Sequence, residues 1–218
     1  MCYSFKSSVI SYTIGMITSI VAMKTGQVPL GFLILFYCQI QLSEAIIWRG
    51  IDTDNLSLNK IGTNIAKYTL ALHMLGLGIG IYIIYKEPIP LIIGALFFLF
   101  VFIYYYSNYS NNTPYTFPYK ECQKREKREC QNPDNRLVWK FPVQWYKISA
   151  IISFLLYFIY VKNDSVISRL FIISFFIITA ILSEYLYPKE TYAPSLWCFI
   201  SAIGAPIMIF INYYYYLK

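Results

Sequence analysis

Charge is the scarcest property of this chain. Asp, Glu, Lys and Arg make up 13% of its 218 residues, where a soluble domain carries roughly 25%. A water-facing surface over the whole chain is therefore excluded. Histidine is scarcer still, with His73 the only one. Metal-dependent intramembrane hydrolases need several His or Asp ligands, so that class fits poorly. The chain also lacks an H-E-x-x-H pair, a nucleophile elbow and a phosphate loop. The last apolar segment has no lysine in its interior, Leu196 to Phe210, which argues against a retinal protein. The five cysteines are Cys2, Cys38, Cys122, Cys130 and Cys198. Cys122 and Cys130 are spaced C-x7-C, which matches no common zinc pattern. They read as free thiols, or as a loop disulfide if that loop is not cytosolic. No cofactor and no metal are expected, and an enzyme ranks last among the readings.

What is abundant is apolar and aromatic: 57% hydrophobic residues, with 22 Tyr and 16 Phe. Tyr, Phe, Ile, Asn and Lys are specified by AT-rich codons, which points to an AT-rich genome such as that of a large DNA virus or a protist. The apolar residues fall into seven runs, each able to cross a bilayer as a helix of roughly 17–25 residues. The predicted spans are 7–23, 28–48, 61–85, 89–106, 145–161, 170–187 and 194–216. The expected fold is all-α, a seven-helix transmembrane bundle in a single domain over 1–218. No clear small-x-small cleavage site follows the first run, so it is expected to be retained.

Three of the spans carry packing signals. Ser11, Gly15, Thr18 and Ala22 form a small-residue stripe on the first, and Gly76-x-x-x-Gly80 lies on the third. Both patterns mark close helix contacts. Pro206 interrupts the seventh, where it frees a backbone carbonyl and favours a kink. The one long polar stretch, 107–144, has no helical period at its start and then alternates Lys and Arg with Glu. It suits a surface loop or a short solvated helix. Being short and tethered at both ends, it is not expected to bind nucleic acid. Phe117, Tyr119, Trp139, Phe141 and Trp145 are candidates to anchor its ends at the interface.

Orientation follows from Lys and Arg outside the spans. Eleven fall on the side of the N-terminus and the loops near 49–60, 107–144 and 188–190, and five on the other. The N-terminus and the 107–144 loop are thus expected in the cytosol and the C-terminus outside. The bias rests on that one loop, and glycosylation of its sequons at Asn108 or Asn111 would invert the prediction.

The polar residues inside the spans are the candidate site. Tyr37, Gln41, Glu44 and Trp48 are spaced four, three and four, so they share a helical face. Asn64 and Lys67 enter the third span, with His73 further along it. Glu184 lies near the end of the sixth. Glu44, Lys67 and Glu184 are expected in one slab under the cytosolic face, together with Gln41, Asn64 and Ser183, and His73 is expected near mid-bilayer. Charges there cost several kcal/mol unless paired or hydrated. One reading is a polar pocket that moves protons, an ion or a small solute. The other is a helix-pairing ion pair, Glu44 with Lys67, with Glu184 snorkelling to the interface.

Gln41-x-x-Glu44-x-x-x-Trp48, the His73-containing stretch Leu70–Gly80, and Ser195-Leu196-Trp197-Cys198 together resemble an uncharacterised family of polytopic membrane proteins. That family, a domain of unknown function, occurs in giant DNA viruses and some protists. The resemblance implies no activity. It does imply that Glu44, Trp48, Trp197 and Cys198 form a related set. The function expected is a multi-pass membrane protein handling protons, ions or small solutes. The alternative is a structural or interaction component of a viral or host-derived membrane. Its surroundings would be the lipid bilayer, with a membrane-protein partner or a second copy of itself as the candidates for association.

Overall fold

A computed structural model of the chain describes residues 4–109, 117–118, 137–138, 144–162, 166–186 and 204–214. Its elements are α1 (Phe5–Lys24), α2 (Val28–Asp52), α3 (Leu56–Tyr85), α4 (Pro88–Tyr109), β1 (Phe117–Pro118), β2 (Leu137–Val138), α5 (Gln144–Tyr160) and α6 (Val166–Leu186). A further helix, α7, covers 204–214. The architecture is helical apart from a two-residue antiparallel pairing, Phe117 with Val138 and Pro118 with Leu137.

Local chemistry sets the boundaries. Ser4 and Ser7 form a capping box at the start of α1, where the Ser7 amide donates to Ser4 Oγ at 3.2 Å. Gly26, at φ +85°, turns the chain after α1, a conformation that favours glycine. Pro29 then sits in the first turn of α2, where its missing amide hydrogen costs nothing.

The loop expected over 49–60 shrinks to three residues. α2 runs on to Asp52 and α3 starts at Leu56. Two local causes act here. Asn55 caps α3 by accepting from the Leu58 amide at 3.0 Å. Gly50 lets the two helix ends touch: a methyl group there would lie 2.6 Å from the Asn59 amide nitrogen. Asp and Asn in this stretch signalled a loop, but they serve a tight turn.

α1 to α4 form an antiparallel meander in which each helix packs on the next, and α3 also packs on α5. Ser11, Gly15, Thr18 and Ala22 are all buried on α1, as the stripe predicted. There, Ser19 Oγ donates to the Gly31 carbonyl of α2 at 2.8 Å. The 107–144 stretch is not wholly a surface loop, because Leu137 of β2 is fully buried in the core. Its mixed-charge run, with Cys122 and Cys130, lies outside the described residues. Trp145 packs edge-on against Phe100 and Tyr104 of α4, at 5.0 and 5.5 Å between ring centroids.

Helix ends gather at two poles. At one, the Arg49 guanidinium lies over the Phe5 ring at 5.9 Å, joining the end of α2 to the start of α1. At the other, Lys162 Nζ after α5 lies 3.7 Å from Glu87 Oε1 in the α3–α4 turn.

Among the described residues, three helical stretches are long and apolar enough to cross a membrane: Phe5–Lys24, Val28–Asp52 and Pro88–Asn108. α3, bent by 48° between Thr69 and Ala71, makes a fourth if it is one span. The apolar parts of α5 and α6, Lys147–Tyr160 and Val166–Leu182, are shorter than that. Of the expected seventh span, 194–203 lies outside the described residues. The outward faces are strongly apolar, with Leu96, Ile103, Ile151, Ile159, Ile178 and Ile181 each more than half exposed. Water would not tolerate so continuous a surface, whereas lipid would. Leu96, 62% exposed in the middle of α4, tests this. Leu96→Lys is expected to raise the insertion cost by about 2.5–3.5 kcal/mol, read as loss of membrane-integrated protein in a glycosylation-reporter insertion assay. Unchanged insertion would show that this face does not meet lipid.

Candidate functional site

The site grows out of the α2–α3 seam, and glycines set its register. Gly50 abuts Asn59, Gly62 abuts Ser43 and Ile47, Gly76 abuts Phe36, and Gly80 abuts Pro29. Facing residue numbers therefore add to about 109, so Glu44 lies level with Ile65, and Lys67 level with Leu42. The two charged residues are then roughly 3 Å apart along the helix axes at 1.5 Å per residue. Gln41 lies at the same level, opposite Tyr68. Gln41 and Glu44 are 0% exposed and Lys67 is 1% exposed. Lys67 Nζ also lies 5.8 Å from the centre of the Tyr68 ring, a cation–π contact.

These groups are deeper than the sequence suggested. With α2 ending at Asp52 and α3 starting at Leu56, Glu44 is roughly 12 Å from its helix end and Lys67 roughly 16 Å from its own. The placement expected from the spans, roughly one turn from the end for Glu44 and one and a half turns in for Lys67, is corrected by the added length of both helices.

Two further buried residues, absent from the sequence reading, extend the polar layer. Asn59 and Thr63 are 4% and 0% exposed, and Thr63 Oγ1 donates to the Asn59 carbonyl at 3.0 Å. Asn59, Thr63 and Lys67 are spaced by four, so they form one stripe along α3. That spacing was the available signal. Ser43, also fully buried, adds a hydroxyl from α2 that donates to the Ile40 carbonyl at 2.8 Å. A polar track thus leads inward from the α2–α3 turn to Lys67 and Glu44.

His73 stands further along α3, and its ring packs on Tyr37 with centroids 4.7 Å apart and planes tilted by 33°. Tyr37 in turn meets Phe176 of α6 edge-on at 6.0 Å, and Phe176 meets Phe154 of α5 at 4.9 Å. An aromatic layer from four helices therefore closes the polar track. Trp48 is buried on the same face of α2, while Asn64 is half-buried. Glu184 belongs to α6, but its side chain lies outside the described residues, as do Trp197 and Cys198. The structure thus brings Gln41, Glu44 and Lys67 to one level and His73 onto Tyr37. Among the described residues, no group of three or more His, Cys, Asp or Glu side chains gathers to hold a metal ion.

A second polar cluster was also missed from the sequence. Ser168 of α6 donates to Asn212 Oδ1 of α7. Asn212 Nδ2 donates to Gln27 Oε1 at 2.9 Å, and Gln27 Nε2 donates to the Ile209 carbonyl at 3.3 Å. All three side chains are buried. A lone Asn in the apolar run Phe210–Tyr214 was its only sequence signal.

Compared with family models, with curated proteins and with solved structures, this chain finds no match.

Proposed function

We propose that this chain is a multi-pass membrane protein, a seven-helix bundle that handles a proton, an ion or a small polar solute through the Gln41, Glu44 and Lys67 layer. The burial of Glu44 and Lys67 at one level of the α2–α3 seam carries this reading. Two unit charges in that position lose several kcal/mol of hydration each. Holding α2 to α3 does not require them, because four glycines already bring the backbones into contact. The stripe Asn59–Thr63–Lys67 supplies a hydrogen-bonding path from one pole. His73 and Tyr37 form the inner limit of that path.

The seven-span arrangement is supported by the ordering of helix ends. The α1–α2 turn, the α3–α4 turn, the α5–α6 connection and the end of α7 share interactions at one pole, as alternating spans require. With the Lys and Arg bias, that pole is the non-cytosolic one.

The test is proton or ion flux in liposomes. The unmodified protein is expected to dissipate a pH or cation gradient, and Glu44→Gln and Lys67→Met each to abolish that flux while the protein remains inserted. No flux from the unmodified protein with any probe ion sinks the proton and ion readings.

A second reading, a structural or interaction component of a membrane, is favoured by the Tyr37–His73 packing that seals the seam just beyond the polar layer. It expects Glu44→Gln and Lys67→Met to change melting behaviour only.

A further inference from the structure

The geometry points to a latch-and-pivot device on α7, which we propose opens the non-cytosolic end of the bundle. Its two ends are built differently. Near the start of α7, Gly204 packs so closely on Phe175 of α6 that an added methyl group would strike the ring. Pro206 follows two residues later and has no amide hydrogen to donate along the helix. This end is tight, and it is the pivot. Towards the other end, α6 and α7 are separated by an apolar groove of about 290 Å³, lined by Ile167, Phe171, Phe210, Ile211 and Tyr214. The groove is half-open and its lining residues Ile167, Phe210 and Tyr214 are exposed, so α6 and α7 do not interdigitate along it.

Polar side chains hold it instead. Ser168 and Asn212 are immediate chain neighbours of the groove residues Ile167 and Ile211. Ser168, Asn212 and Gln27 form a directed chain of donors and acceptors that ends on the Ile209 carbonyl. The chain ties α7 to α6 and to the α1–α2 turn at once. Every link is neutral, so each can be exchanged for a hydrogen bond to water at modest cost. When the latch opens, two carboxamides, a hydroxyl and a carbonyl face the water that enters, an uncharged hydrogen-bonding mouth. This device does not depend on what, if anything, crosses the bundle.

Hydrogen–deuterium exchange of the full chain in lipid nanodiscs tests it. Asn212→Leu keeps the side-chain volume close and removes its hydrogen bonds to Ser168 and Gln27. It is expected to speed exchange over 204–214 about tenfold and to leave α2 and α3 unchanged. Gln27→Leu is expected to do the same. The double variant is expected to exceed neither, because each single variant already breaks the Asn212–Gln27 link that ties α7 to the α1–α2 turn. Ser168→Ala trims a single hydroxyl and gives the same local pattern more weakly if a larger change prevents folding. Unchanged exchange over 204–214, additive effects, or loosening spread over all helices would each overturn the latch.

Discussion

Lys67→Met is expected to destabilise the folded bundle by about 3–5 kcal/mol, and adding Glu44→Gln to recover most of that loss. The asymmetry follows from burial. Lys67 and Glu44 are 1% and 0% exposed and lie on facing helices at one level. Removing the ammonium leaves a carboxylate in a low-dielectric layer without the opposite charge at its level. Removing both charges leaves a Met and an amide, and no ion in the layer. Glu44→Gln alone is expected to be costly for the same reason, with Lys67 then the stranded ion. The measurement is a double-variant cycle by reversible unfolding in mixed micelles. A coupling energy near zero would mean that the two charges do not sense each other, and the polar layer would then lose its centre. Combined with the flux assay, the cycle also separates the two functional readings. A double variant that is stable yet inactive points to transport, and one that is stable where no flux was ever seen points to scaffolding.

How much of this was legible beforehand can be argued residue by residue. The face of α2 carrying Tyr37, Gln41, Glu44 and Trp48 was legible, because a 3.6-residue period survives any tertiary context; all four are buried. The small-residue stripe of α1 was legible for the same reason. The α2–α3 turn was not. Asp52, Asp54 and Asn55 carry loop propensity, but one of them ends a helix, one takes the left-handed turn at φ 51°, and one caps the next helix. Local propensity could not see that Gly50 lets the helix ends meet. That error moved Glu44 and Lys67 too close to their helix ends.

The Asn59–Thr63–Lys67 stripe is legible in its spacing of four, but the loop propensity of Asp52, Asp54 and Asn55 puts Asn59 outside the predicted span. The contact of His73 with Tyr37 needed the seam register, which only the glycine contacts supply. The Gln27–Asn212 hydrogen bond joins residues 185 apart, a pairing that no local pattern encodes. Each of its members looks like an isolated polar residue at a helix end.

The glycine seam should respond in a graded way that depends on what each glycine touches. Gly80→Leu is expected to cost more than about 3 kcal/mol and to leave little folded protein, at the upper end of what overpacking does. A Cβ at Gly80 would lie 2.6 Å from Pro29 Cα and 3.1 Å from the Val28 carbonyl oxygen. Both are backbone atoms in the first turn of α2, so neither can rotate away, and the helices must separate. Gly80→Ala is expected to cost about 1–3 kcal/mol. Gly76→Ala should cost less than Gly80→Ala, since the atoms it strikes most closely belong to the Phe36 ring, and a side chain can change rotamer. Gly26→Ala meets nothing within 4 Å and suffers only from its φ of +85°, a strain of about 1 kcal/mol. The order Gly80, Gly76, Gly26 can be read from melting temperatures of the three alanine variants in one detergent. If Gly76 and Gly80 tolerated alanine as well as Gly26 does, α2 and α3 would not be in backbone contact. The register that sets Glu44 beside Lys67 would then fail with it.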